Sequence, residues 1–221
     1  MYVHVNAAVS VDGKLSSRRR EQVRISGAAD FDRVDRIRAA ADAVLVGVGT
    51  VLADDPHLTL DEEDRRVQRL RDGRSGNPAR LVADSRARTP TDARILDDEA
   101  TTYLLVGDEA DPDRLADLRD AGAEVVAAGG DDGRVDLRAA FDALEREGIE
   151  RVMVEGGGEV IFSLFDAGLV DELTLYVGSL VIGGRDAPTL ADGEGLVDDF
   201  PRLELADVAR VDDGVLLSYE T

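Results

Sequence analysis

Apolar and polar positions alternate over residues 2–11. Val3, Val5, Ala7, Val9 and Val11 share one side, as a half-buried strand requires. Asp12-Gly13 then turns the chain. Further on the period becomes helical: Phe31, Val34, Ile37 and Ala41 make one face of a helix, with Asp30 placed to cap it. Short, unbroken apolar runs follow at 44–46, 81–83, 103–106 and 125–126, the pattern of parallel strands covered on both faces. Between them, Asp111-Pro112 starts a helix that Gly122 stops. Asp136 caps another, with Leu137, Phe141 and Leu144 inward and Gly148 at its end. Residues 61–78 carry charge and glycine but little apolar periodicity, so they predict an exposed excursion. Gly47-Val48-Gly49-Thr50 and Asp54-Asp55-Pro56 predict a polar, shaped loop after a strand. Residues 173–177 and 180–182 are strand-like, and 183–201 read as loop. The runs 203–211 and 215–219 flank Asp212-Asp213-Gly214 as a hairpin does. This order predicts an α/β fold in three layers over 1–221, one domain, with a mostly parallel central sheet and a C-terminal antiparallel hairpin.

One stretch, RVMVEGGGEVIFSLFDAG at 151–168, organises the rest. Val152, Met153 and Val154 form a buried strand, and Glu155 ends it. Gly156, Gly157 and Gly158 turn the chain into a helix on which Val160, Ile161, Leu164 and Phe165 recur. A bare glycine turn at a helix start offers main-chain N–H groups to an anion with no Cβ in the way. Glycine triplets also serve as ordinary loops. Glu155 stands at the C-terminal end of a strand, where open α/β sheets bind ligands; a solvated strand-end acid is the plainer reading.

Composition narrows the partners. The chain has 47 acidic and 26 basic residues in 221, a formal net charge of −21, and no cysteine. That charge argues against nucleic acid and anionic membranes as partners, and the missing thiols exclude Cys-ligated metal and disulfides; no metal is expected. No basic leader and no long apolar run is present, which predicts a cytoplasmic protein without a membrane span. A hydrophobic share of 43% argues against disorder. Lys14 is the only lysine; every other base is arginine. Scattered acids with lysine removed suggest a high-salt cytoplasm.

The segments NAAVSVDGKLSS, RIRAAADAVLVGVGTVLADDPHLTL, LVADSRARTP, RVDL and VEGGGEVIFSLFDAGLVDELTLYVGSLVIGG, in that order, resemble the reductase family of riboflavin biosynthesis, of dihydrofolate-reductase-like fold. The resemblance runs from about residue 3 to 219 and is closest to the free-standing archaeal form; GTVLADDP and VEGGG are its most specific motifs. It implies a homodimer that uses NADPH, with NADH weaker, to reduce a phosphorylated ribosylaminopyrimidine. The cofactor would be met by Ala8, Thr50, Asp54, Ser85, Gly156, Gly157, Gly158, Glu159 and Val160. Lys14, Arg38, Leu58 and Glu155 would hold the substrate. Two positions depart from bacterial members: Asp61 stands where they have an arginine, and Arg24 where they have tryptophan.

On this reading Lys14 and Glu155 are the candidate catalytic groups, with Asp54 a further candidate for proton handling. Arg86 and Arg88 follow Ser85 and offer donors for a 2′-phosphate. His57 is a lone loop histidine, and His4 lies on a strand; neither is assigned a role. The rival readings are a pterin or folate reductase of the same fold and a nucleotide-binding module without turnover.

Overall fold

The structure is a computed structural model and describes residues 1–130 and 133–221. In chain order the elements begin β1 (Tyr2–Ser10), α1 (Ala28–Ala40), β2 (Ala43–Gly47), α2 (Val48–Asp54), α3 (Glu63–Arg71), β3 (Ala79–Ala83), β4 (Thr102–Val106) and α4 (Pro112–Asp120). They continue with β5 (Ala123–Ala127), α5 (Leu137–Arg146), β6 (Arg151–Gly156), α6 (Gly158–Asp166), β7 (Glu172–Gly178), β8 (Glu204–Val211) and β9 (Gly214–Glu220). The class is α/β, mostly parallel, with an antiparallel hairpin at the C-terminal end, as expected. The chain divides into two compact units: Asp35–Val152 with Met1, and Tyr2–Val34 with Met153–Thr221.

In the first unit the strands lie in the order β5-β4-β3-β2, all parallel, with Leu45 opposite Leu81 and Leu104 opposite Val125. β2 is buried from end to end, which is why its sequence AVLVG shows no polar alternation. Val44, Val46, Val82, Ile95, Leu104 and Leu118 pack into one cluster. α4 and α5 start as the sequence predicts. The Asp111 carboxylate accepts from Asp113 N at 2.9 Å, and that of Asp136 from Ala139 N at 3.0 Å. Leu137, Phe141 and Leu144 face inward on α5.

Two expectations in this unit need correction. Gly47 is the residue before a helix, and Val48 to Asp54 form α2, so the glycine-bearing segment is a first turn with Val48 and Val51 buried. Residues 61–78 contain α3, which is attached through arginine rather than apolar contact. Arg69 is buried and donates to Ala39 O, Ala41 O and Ser75 O at 2.7 to 2.9 Å. Arg74 adds Asp42 at 2.8 Å. Together they satisfy the carbonyls that the end of α1 leaves open. Burial brings the Arg69 guanidinium down to about 10, still charged near neutrality. Apolar periodicity misses such a helix because its anchor is a cation.

In the second unit the order is β6-β1-β7-β9-β8. β1 and β7 are parallel, with Asn6 opposite Thr174; β7, β9 and β8 are antiparallel. Val3, Val5, Ala7 and Val9 are buried, while Val11, beyond the strand, is exposed. The hairpin turns at Asp212, where φ is 51°. Its carboxylate accepts from Ala29 N at 3.3 Å and Asp30 N at 3.1 Å. Asp212 therefore caps α1 from across the sequence, in place of Asp30. Asp30 sits inside the first turn, buried and paired with Arg33 at 2.7 Å. Phe31 is exposed, contrary to the expected face, with the Arg24 guanidinium 5.6 Å from its ring centre. Residues 180–182 form no strand, although Leu180 O accepts from Val11 N at 2.9 Å. No helix among the described residues is long and apolar enough to cross a membrane.

Candidate active site

The glycine turn closes β6 and opens α6, with Gly157 as the residue before the helix. Two of its three glycines are required by the structure itself, for different reasons. Gly156 has φ 131°, which side-chain-bearing residues rarely adopt. A Cβ on Gly158 would lie 2.4 Å from Thr189 O and 2.7 Å from Asp192 Oδ2. Gly157 has φ −77° and ψ −177°, an ordinary extended conformation, so its own dihedrals do not require glycine. Close approach of a ligand remains a reason for glycine there. Glu159 is exposed in the first turn of α6, Val160 is buried, and Glu155 is half-buried near the end of β6.

In the same unit Lys14 ends a tight turn after β1. Ser10 N donates to Lys14 O at 2.9 Å, Lys14 N donates to Ser10 Oγ at 3.0 Å, and Gly13 supplies φ 79°. The half-buried ammonium donates to Ala187 O at 3.2 Å, leaving two of its three protons for other acceptors. Asp12 fixes the facing chain, accepting from Ile182 N at 3.0 Å and Gly183 N at 2.7 Å. The Ser10 hydroxyl and these N–H groups hold its carboxyl down at about 2. Ala8 is half-buried on β1, opposite Tyr176.

In the first unit Thr50 is half-buried on α2, and Asp54 is its exposed last residue. Partial desolvation raises the Asp54 carboxyl. Ser85, Arg86 and Arg88 lie on a pinned turn. Buried Asp84 Oδ2 accepts from Thr89 N at 2.7 Å and Thr89 Oγ1 at 2.8 Å, and Arg114 donates to Ala87 O at 3.2 Å. Ala87 is buried with φ 54°, so the arginines on either side are exposed. Neither has a hydrogen bond or ion pair among the described residues. Ser85 Oγ accepts from Val135 N at 3.1 Å and keeps its own proton to donate.

Arg38 donates to Thr59 O at 3.0 Å. The Leu58 side chain packs in the first unit's apolar cluster, so a ligand would meet its main chain, where φ is 53°. Asp61 is exposed, and its N–H donates to buried Asp35 at 2.8 Å. One turn on, Arg65 pairs with the same Asp35 at 2.5 Å. The arginine missing at 61 therefore has a cationic neighbour on α3, which the pattern at 61–78 concealed. His57, Asp97 and Glu99 bring one ligand atom each within 4.8 Å of one another. Asp97 Oδ1 already accepts from Arg80 at 2.8 Å, and Glu99 is exposed, so Asp97 is committed to the Arg80 ion pair. Thr189 and Asp192, which pack on the glycine turn, carried no signal in a loop read from composition alone.

A mostly parallel α/β chain with a glycine turn at a strand-to-helix junction belongs to a wide class of folds that carry many unrelated activities. The family model for the RibD C-terminal domain matches residues 1–217, and the chain belongs to that family. It is 46% identical over 213 residues to the 2,5-diamino-6-ribosylamino-4(3H)-pyrimidinone 5′-phosphate reductase of Archaeoglobus fulgidus, covering 96% of this chain and 94% of that protein. The Methanothermobacter thermautotrophicus protein of the same name is 43% identical over 220 residues, covering 99% and 97%. A solved pyrimidine reductase-like protein from Corynebacterium diphtheriae superposes with TM-score 0.85 at 22% identity, covering 99% of this chain and 91% of that one; that likeness speaks for the fold.

Proposed function

We propose that this chain is an NADPH-dependent reductase that converts the ribosyl group of 2,5-diamino-6-ribosylamino-4(3H)-pyrimidinone 5′-phosphate to ribityl, in riboflavin biosynthesis. The observation that carries this reading is similarity over nearly the full length to reductases of that name. The nicotinamide supplies the hydride. Ala8, Thr50, Asp54, Ser85, Arg86 and the turn from Gly156 to Val160 are the proposed cofactor residues. Gly157, with no Cβ and ordinary dihedrals, and the two exposed arginines beside Ser85 suit its phosphates. Lys14, Arg38, Glu155 and the Leu58 main chain are assigned to the substrate. The Lys14 ammonium can hold or deliver a proton at a ribosyl oxygen, and Glu155 can orient or accept one. The assay is NADPH oxidation with the phosphorylated ribosylaminopyrimidine, its dephosphorylated form and dihydrofolate. Turnover of the first alone is expected; turnover of dihydrofolate instead would move the chain to the rival reductase class.

Cofactor choice follows from the turn after β3. With Arg86 and Arg88 both changed to alanine, the preference for NADPH over NADH is expected to fall about tenfold or more, the worth of one or two charge-assisted hydrogen bonds. Unchanged Kd values for both nucleotides in that double variant would place the 2′-phosphate contact elsewhere.

The net charge of −21 opposes the encounter with two anionic ligands. The Debye length falls from about 10 Å at 0.1 M salt to about 3 Å at 1 M, which removes that repulsion. Both KM values are therefore expected to fall as KCl approaches molar concentrations. The control is circular dichroism showing that the protein stays folded at low salt; equal KM values at both salts would refute the effect.

The chain is also proposed to form a homodimer. β8 is the outer strand of the second unit, and it exposes Leu205 and Val208 beside Val215 of β9. An exposed apolar edge invites pairing with a second copy. Sedimentation equilibrium should give twice the chain mass; a monomer mass at micromolar protein removes the proposal.

A further inference from the structure

Residues 187–193 belong to no regular element, yet both ends of the segment are tied to groups described above. At one end Leu15 N donates to Pro188 O at 2.9 Å, and Lys14 and Thr189 form an isolated antiparallel bridge. The Lys14 ammonium donates to Ala187 O. At the other end Asp192 N donates to Gly158 O at 3.0 Å. The segment presses on α6 so closely that a Cβ on Gly193 would lie 2.3 Å from the Phe162 ring. One side chain joins the two ends. The Asp192 carboxylate accepts from Thr189 N at 3.2 and 3.1 Å through its two oxygens, and from Thr189 Oγ1 at 2.5 Å.

We infer that Asp192 is a positioning residue: through Thr189 its carboxylate fixes the Lys14 ammonium with respect to the first turn of α6. Each link in the chain is short. Lys14 pairs with Thr189, Thr189 is held by Asp192, and the main chain of Asp192 is held by Gly158. Bonds to a carboxylate are stronger than neutral ones, so Thr189 is the best-held point of an otherwise irregular segment. The lysine stem is intrinsically flexible, and a shift of about 1 Å in a reacting group can cost on the order of 100-fold in rate. An acceptor fixed at Ala187 O removes much of that freedom. The consequence for turnover rests on the proposed substrate role of Lys14, whereas the effect on the ammonium itself does not.

The single lysine makes the test direct. Protein carrying ¹³Cε-lysine gives one side-chain signal, from Lys14. Asp192→Ala is expected to move that signal toward the position and sharpness of a free lysine. In the same variant kcat should fall about tenfold while the NADPH Kd stays within about twofold, a pattern that mere loss of stability does not give. Asp192→Asn keeps one acceptor oxygen and should fall between. If Asp192→Ala is poorly folded, Thr189→Val, which removes only the hydroxyl bond, carries the same readouts at smaller amplitude. A folded variant with a wild-type lysine signal overturns the inference. A shifted signal with unchanged kcat upholds the positioning and removes Lys14 from the substrate. Absence of NADPH oxidation by the wild type defeats the proposed function and leaves the lysine readout intact.

Discussion

Replacing Lys14 with arginine is expected to lower kcat/KM for the phosphorylated pyrimidine at least about tenfold, near 1.4 kcal/mol of transition-state stabilisation. The ammonium sits half-buried at the end of a turn closed by Ser10 and faces a carbonyl of the opposing chain. A guanidinium is a wider, planar fork on a longer stem, and it cannot place a compact charge in the same space. The composition points the same way: 25 of the 26 basic residues are arginine, 26 less the one lysine at position 14. Lys14→Ala should lose more, about 100-fold, because a hydrogen bond to a charged group contributes roughly 1.5–3 kcal/mol. The NADPH Kd should hold in both variants. If the ammonium meets the phosphate, discrimination against dephosphorylated substrate should drop as well. Steady-state kinetics indistinguishable from wild type in the arginine variant would leave the site to Arg38 and Glu155.

The largest stability effect is expected at Arg80, which is fully buried on β3. Its guanidinium donates to Ile95 O at 2.8 Å and to Asp97 Oδ1 at 2.8 Å, with Asp97 O and Ala100 O at 3.4 Å. Arg80→Ala opens a cavity and strips Asp97 of its strongest partner. Ile95 O keeps the Thr102 hydroxyl, which limits the damage on that side. Asp97 is also 30% solvent-accessible, so the cost falls at the low end for a broken buried pair, about 3 kcal/mol. That corresponds to a Tm lower by about 6–12 °C for a chain of this size. Arg80→Met refills most of the volume and should recover part of the loss. Urea titrations giving less than about 1 kcal/mol for the alanine variant would show that the buried cation is compensated elsewhere.

Much of this architecture was legible because apolar runs and glycines report burial directly. β2 at 43–47 reads as a covered strand, Asp111-Pro112 and Asp136 mark helix starts, and Asp212-Asp213-Gly214 marks the hairpin turn. Features held by arginine and by remote carboxylates were not. α3 is fastened by Arg69 to the carbonyls that end α1, an interaction between segments some thirty residues apart that no local periodicity contains. The start of α1 depends on Asp212, 182 residues from Asp30. Likewise, the glycine triplet, Lys14 and the arginines after Ser85 could be picked out as candidates one by one. The partner of the glycine turn, Thr189 with Asp192, emerges only when the loop is folded back on α6.

The cap that Asp212 provides also sets an order of events during synthesis. Asp35–Val152 is continuous, so its four parallel strands can assemble while the remainder is still being made. The opening segment has to wait. β1 lies between β6 and β7, with His4 opposite Glu172, and α1 is finished by the carboxylate of Asp212. β1 and the start of α1 are thus made before their partners, and they are expected to be completed only once residues 151–212 have been made. The state of α1 on stalled chains can be read by pulse proteolysis at Arg33, which the finished helix half-buries against Asp30. Protection of that site in chains halted before residue 212 would show that α1 closes without its remote cap.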